Sequence, residues 1–388
     1  MLREFLLGLL IAVFTFVGTG SHGANDGIFG QFNLPRAIFS GPDGEIFVVD
    51  TFNNLLRRVD IIEDLCDEDC EEDCEIEHEP VEEGEPRRFR KETETIAGNI
   101  LMIDHQNFPR GFYRDGPLEN ALFNRPTDGI IDSEGRILIV DSQNHAIRII
   151  IGENVFTFAG GNGAGHKDGH VDEAEFNRPT SIAMDEDGNL FITDSGNDAV
   201  RKIDTEGEVS TIAEGFNYPT GIAINSEGVI FVSDTGNHKI RMIQDGEIST
   251  LSGRIILPED VEWLHDGGYW DDEPIGGFAD GPADYALFDT PTGLAFWNDK
   301  LIIADTANHK IRAIITDDYG YKFAITLAGV GHADYINDIP EAAAFHLPMG
   351  VYVFEDTLFI ADTGNNMIRA LPLDAEIFEI EEDEEDEE

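Results

Sequence analysis

The chain has 388 residues, of which 78 are Asp or Glu and 25 Lys or Arg, giving a net charge of -53. That balance excludes a nucleic-acid partner and disfavours an anionic membrane surface. Three cysteines leave one thiol unpaired or open to an intermolecular bond, and past the N-terminus no apolar run reaches membrane-spanning length.

The first stretch, MLREFLLGLLIAVFTFVGTGSHG, has one Arg, an apolar run from Phe5 to Val17 and small residues from Gly18 to Gly23. It predicts a secretory signal peptide over residues 1–23, cut near Gly20 or Gly23, and a secreted, extracellular chain. An uncleaved N-terminal anchor is the alternative. From Phe32 a stretch then recurs: FNLPRAIFSGPDGEIFVVDTFNNLLRRVD returns in altered form from Phe123, Phe176, Phe216, Phe288 and Phe345. Repetition on this scale overrides any domain count based on length.

One copy shows what a repeat predicts. Ser181–Met184 is a short apolar run, closed by a tight turn at Asp185-Glu186-Asp187-Gly188. Leu190–Thr193 follows, then a turn through Asp194-Ser195-Gly196-Asn197, then Ala199–Ile203 and Val209–Ala213. Four short strands in about 40 residues match a propeller blade. The fold class is therefore all-β, a six-bladed β-propeller over residues 24–380 with four antiparallel strands per blade. The last apolar run, Ala375–Ile380, is expected to be the outer strand of blade six. Ring closure then falls to side-chain packing between blades one and six. Residues 381–388 form an acidic disordered tail.

The runs GNLFITDSGNDAVRKID and GVIFVSDTGNHKIRMI resemble NHL repeats, as do TLAGVGH and FADGPADYALFDTPTGLAF. The resemblance covers roughly Asn25 to Leu373 and implies a propeller fold. Function is less defined, because this scaffold carries unrelated activities. In each repeat an Asp (Asp50, Asp141, Asp194, Asp234, Asp305, Asp362) stands seven residues before an Arg (Arg57, Arg148, Arg201, Arg241, Arg312, Arg369). A pair copied six times is a structural lock, not an active site. His145, His238 and His309 fill the family's Asn-His position and are expected to pack structurally.

Blade one carries an acidic insertion, residues 62–92, with Cys66, Cys70, Cys74 and His78. Three Cys and one His suit a tetrahedral zinc site. On one continuous helix, however, Cys66 and His78 would stand about 18 Å apart, so a metal would have to fold the segment. A solvated loop is the alternative.

The long inter-blade connections, Asn99–Glu119, Gly161–Glu173, Arg254–Ala283 and Val330–Pro340, emerge at one end of the propeller. They carry histidines and aromatics, among them Tyr113, Trp263, His265, Tyr269 and Trp270. Such loops on a rigid scaffold are candidates for binding a protein or glycan. The residue after each leading Phe (Asn33, Asn124, Asn177, Asn217, Asp289, His346) should ring the channel mouth or cap the turn there. Asp289 and His346 break that ring, and Asp128 replaces a small residue, so these three are candidates for a small ligand or a divalent metal, calcium or zinc.

The resemblance also raises enzymes. Propeller lyases of peptide-amidating enzymes hold zinc through channel histidines, but here the inner strands contain none. No catalytic set matches gluconolactonase-like or streptogramin-lyase propellers. The sequence thus favours a monomeric binding scaffold. A metal-dependent lyase or lactonase at the channel mouth is the alternative, requiring Asp289, His346 and a loop histidine to converge.

Overall fold

The computed structural model describes residues 12–63, 89–104, 109–254 and 275–378. Six antiparallel sheets of four or five strands follow one another along the chain as the blades of a propeller. Blade one is built from Ala37–Ser40, Ile46–Asp50, Leu55–Glu63 and Phe89–Ala97. Blade three, from Pro179–Met184, Leu190–Asp194, Ala199–Ile203 and Glu208–Glu214, repeats that plan. The second strands are buried along all or nearly all of their length, as in LFITD and IFVSD. Such short β-branched and aromatic runs suit a strand covered on both faces. Blades two, three and five add a two-residue fifth strand at the rim: Gly116–Pro117, Gly169–His170 and Gly281–Pro282.

Each blade is locked by a unit of Phe, Asp, Asn and Arg. The repeated Asp takes the backbone N–H after the leading Phe on Oδ1, at 2.7–2.8 Å. On Oδ2 it takes an Asn amide three residues on and the Arg guanidinium at 2.7–3.0 Å. The guanidinium also lies over the leading Phe ring, from 4.3 Å at Arg312–Phe288 to 5.8 Å at Arg241–Phe216. Burial pushes Asp50 up to about 7, and Asp141 and Asp305 to about 6, with the Arg and the hydrogen bonds pulling the other way. The pairing expected between the repeated Asp and Arg is present in all six blades.

Closure differs from the sequence expectation. Phe14–Val17, inside the stretch read as a leader, is the outer strand of blade six, antiparallel to Met367–Pro372. Thr15 faces Arg369 there, as Thr95 faces Arg57 and Thr157 faces Arg148 in their own blades. Gly18 then turns with φ 109, where a Cβ would meet Asn366 O at 2.9 Å; Gly98, with φ 103, meets Asn54 O in the same way. Only glycine fits so close an approach at positive φ. The described part of the run expected there, residues 375–378, is not that strand. Glu376–Phe378 is a single 3₁₀ turn, whose Phe378 stacks on Trp297 at 4.9 Å and seals the core between blades five and six. An aromatic ring docked on a neighbouring blade holds this segment off the sheet edge, which the N-terminal strand occupies.

Candidate functional site: the channel mouth

The mouth is framed by the turns between second and third strands. Each turn ends on a left-handed residue, Asn54, His145, Asp198, His238, His309 or Asn366, and in every blade but the fifth, where it is a plain hydrogen-bonded turn, it is a 3₁₀ helix. Its side chain accepts the N–H of the next blade's third repeat residue. The bonds run Asn54 to Arg125 at 2.7 Å, His145 to Arg178 at 3.0 Å and Asp198 to Tyr218 at 2.8 Å. They continue from His238 to Thr290 at 2.9 Å and His309 to Leu347 at 3.0 Å, and Asn366 to Leu34 at 2.9 Å completes the circle. The repeat histidines therefore hold blade to blade, as hydrogen-bond acceptors through Nδ1. Burial pushes His145 and His309 below the ordinary histidine value. Arg178 adds to this at His145, and His346 and His332 at His309.

The six residues held by this circle have φ between 48° and 51°, and none is glycine. Leu34, Arg125, Arg178, Tyr218, Thr290 and Leu347 thus stand on one repeated backbone with four different side chains. Arg125 and Arg178 are exposed and Tyr218 is 38% exposed. Arg125 lies 3.8 Å over Phe52, and Arg178 lies 5.6 Å from the Tyr218 ring centre.

Below the mouth the inner strands enclose a cavity of about 230 Å³. Its upper ring is Arg36, Thr127, Thr180, Thr220, Thr292 and Met349. The inner strands of blades four to six pass so closely that a Cβ at Gly221 would lie 2.0 Å from Thr292 O. Arg36 donates from Nε to Met349 Sδ at 3.1 Å, and burial lowers its pKa, with Arg125 adding repulsion and Tyr218 opposing. Asp128 is the cavity's carboxylate. It accepts Ser181 Oγ at 2.5 Å, Ile182 N at 3.0 Å and its neighbour Gly129 N at 2.8 Å, so it clips blade two to blade three. Burial pushes it up to about 6 against these three bonds.

The other sequence candidates fall in different places. Asp289 Oδ1 lies 3.3 Å from His238 Nδ1, and the His346 ring lies 5.9 Å from His309, so each meets a blade histidine. Among the described residues no three His, Cys, Asp or Glu side chains are grouped to hold a metal ion. Tyr113 is 46% exposed but sits at the rim, its ring over Arg148 and its hydroxyl 2.5 Å from Thr157 Oγ1. Trp263, His265, Tyr269 and Trp270 lie outside the described residues, as do Cys66, Cys70, Cys74 and His78.

The long connections also have a structural task. Asp115, Asp168 and Asp280 reach back to the buried Arg148, Arg201 and Arg312 at 2.5–2.7 Å. They accept from Thr157, Thr211 and Thr326 on the outer strands. Blade four is entered by a short link and, among the described residues, has no such carboxylate; its Arg241 side chain is 18% exposed, where the other repeat arginines are fully buried.

The NHL repeat family profile matches residues 176–203 and 216–241. The chain is 37% identical over 186 residues to the protein Suppressor of Quenching 1, chloroplastic, of Arabidopsis thaliana, covering 47% of this chain and 15% of that protein. It is 33% identical over 132 residues to NHL repeat-containing protein 2 of Gallus gallus, covering 33% of this chain and 17% of the other. The chain thus spans less than a fifth of either relative. Among solved structures, an auxiliary nutrient binding protein from Bacteroides thetaiotaomicron superposes with TM-score 0.61 at 14% identity, over 93% of this chain and 76% of that one. A streptogramin B lyase superposes with TM-score 0.51 at 13% identity, over 94% and 98%. These structural likenesses concern the fold.

Proposed function

Because this chain belongs to the NHL-repeat β-propellers, we propose that it is a binding module, taking a protein or glycan ligand on the face that carries the channel mouth. The observation that carries this reading is the circle of six left-handed residues. A non-glycine residue at positive φ is unfavourable, and glycine would serve the turn at no steric penalty. Keeping a side chain at all six positions, Thr290 among them, on a frame fixed by six hydrogen bonds is how a rigid scaffold presents chemistry. The fold likeness to a nutrient binding protein is consistent with it. As part of the same proposal the chain works outside the cytoplasm with its N-terminal segment retained, since Val13 and Phe16 are 1% and 2% exposed in the propeller.

The test is a glycan-array screen with the purified chain and two variants. Tyr218→Ala, at the mouth, should weaken binding about tenfold without changing the melting temperature. Glu186→Ala, in the turn on the opposite face, should leave binding unchanged. Loss of binding in Glu186→Ala alone would move the site to the other face.

A further inference from the structure

Within a chain of net charge -53, the mouth gathers arginines without carboxylate partners. The repeat arginines are each tied to one or two Asp side chains, and Arg58, on the third strand of blade one, and Arg136, in the turn between the first two strands of blade two, are paired as well. Among the described residues, Arg36, Arg125 and Arg178 form no ion pair. They come from blades one, two and three, which are neighbours in the ring. Arg36 lines the cavity together with Thr127 and Thr220, the residues two beyond Arg125 and Tyr218 on the neighbouring inner strands. Tyr218 in turn lies under Arg178. The four side chains therefore form one group at the mouth's edge, not three separate surface charges.

Gathering like charges without a counter-ion is unfavourable, and in so acidic a protein a carboxylate could readily have been placed among them. Neither nearby carboxylate fills that role: both oxygens of Asp128 are engaged by Ser181, Ile182 and Gly129 at the joint between blades two and three, and Asp198 is held by the Tyr218 N–H. We infer that the mouth receives the carboxylate of an acidic sugar, with Arg125 and Arg178 as the exposed forks, Arg36 beneath them and Tyr218 as the face against which the ring lies. This rests on the binding reading above and names its ligand class. Guanidinium forks match a carboxylate in two parallel hydrogen bonds, and an exposed tyrosine beside them supplies an apolar face for a pyranose. A monoanion fits better than a phosphate dianion, because the surrounding field of the protein is negative and Asp128 lies below. The three arginines without ion pairs also offer an incoming anion a local exception to that field.

The experiment is calorimetric titration of the full chain with trigalacturonate, its methyl ester and inorganic phosphate at low and physiological salt. Trigalacturonate should bind, weaken with salt and bind at least about tenfold more tightly than the ester, a difference of about 1.4 kcal/mol. Arg178→Gln, Arg125→Gln and Arg36→Gln should each reduce its affinity by about that factor. Arg136→Gln, in a turn on the opposite face, should not. The Arg178 side chain lies over Tyr218 and makes no ion pair among the described residues, and its backbone bond to His145 survives substitution, so its variant keeps the fold even where Arg125→Gln disturbs Phe52. Equal binding of acid and ester would overturn charge recognition while leaving a ligand on this face. Tighter binding of phosphate would overturn the sugar assignment. No binding of any acidic probe would overturn the anion site, and the glycan array would then judge the broader reading separately.

Discussion

At the scale of single residues, the same structural post is filled by different chemistry from blade to blade. Asn54 and Asn366 accept a backbone N–H through an amide oxygen, Asp198 through a carboxylate, and His145, His238 and His309 through Nδ1. All six sit at φ 53–57°, where Asn and Asp are tolerated best among non-glycine residues. His309→Asn should therefore be nearly neutral, while His309→Phe strands the Leu347 N–H and should destabilise by about 1–3 kcal/mol. Acid distinguishes them further. A histidine that must accept through Nδ1 resists protonation, and both His145 and His309 are held below the ordinary value. As pH falls the unfolded chain takes up its proton first, so their contribution is complete above about pH 6.5 and is lost below it. Asp50, raised to about 7, and Asp141 and Asp305, raised to about 6, act in the opposite sense, holding protons in the folded state. The comparison must therefore be between proteins. In denaturant melts, a His145→Asn, His309→Asn double variant should lose less stability than wild type between about pH 7 and about pH 5. Parallel loss would show that neither acceptor matters.

At the scale of elements, the repeats made most of the propeller legible, because a strand covered on both faces must be apolar and each turn needs its Asp, Asn or Gly. The outer strand of blade six was legible too, in a place where a hydrophobic leader was a competing explanation. Thr15-Phe16-Val17-Gly18 is the motif of the outer strands, TIAG at 95–98, TFAG at 157–160, TLSG at 250–253 and TLAG at 326–329. The apolar run upstream masked it. The hooks from Asp115, Asp168 and Asp280 to buried arginines were hidden for another reason: they span about 33 residues, and nothing local marks them. The unpaired arginines were equally silent, since only the fold shows which charges lack partners. The strand itself gives a sharp test. Val13, Phe16 and Val17 are buried, and Phe16 meets Phe359 edge-on at 4.9 Å. At about 1.5–3 kcal/mol for each buried side chain, deleting residues 2–18 should lower the melting temperature by about 10 °C or more. Replacing residues 64–88 with a short Gly-Ser linker should shift it by only a few degrees, because loop-closure entropy varies slowly with length. Cleavage at Gly20 or Gly23 would remove the same strand, so the intact mass of the chain recovered from its own cells or medium discriminates between a leader and a blade. A truncated chain that melts like the full one would show that blade six does not need this strand.

At the scale of the whole molecule, net charge opposes the fold that the repeats build. The six Asp–Arg locks are internally neutral, and most of the excess acid lies elsewhere, so it adds repulsion without adding contacts. Folding gathers those carboxylates onto one compact body, while the unfolded chain spreads them out. Self-repulsion therefore disfavours the native state most strongly where screening is weakest. At about 0.15 M ionic strength each charge is felt over only about 8 Å, and at about 0.01 M over about 30 Å. The melting temperature should rise steeply with sodium chloride through this range and then level off. If screening is the whole cause, calcium chloride at matched ionic strength should give a similar shift. A calcium-specific rise at low concentration, absent with magnesium, would instead identify a cation site. In that case the variant lacking residues 64–88 tells whether the site is in the acidic insertion or on the propeller. A flat response to every salt would mean that the repulsion is already relieved, and the charge would then bear on solubility and partner choice, not on stability.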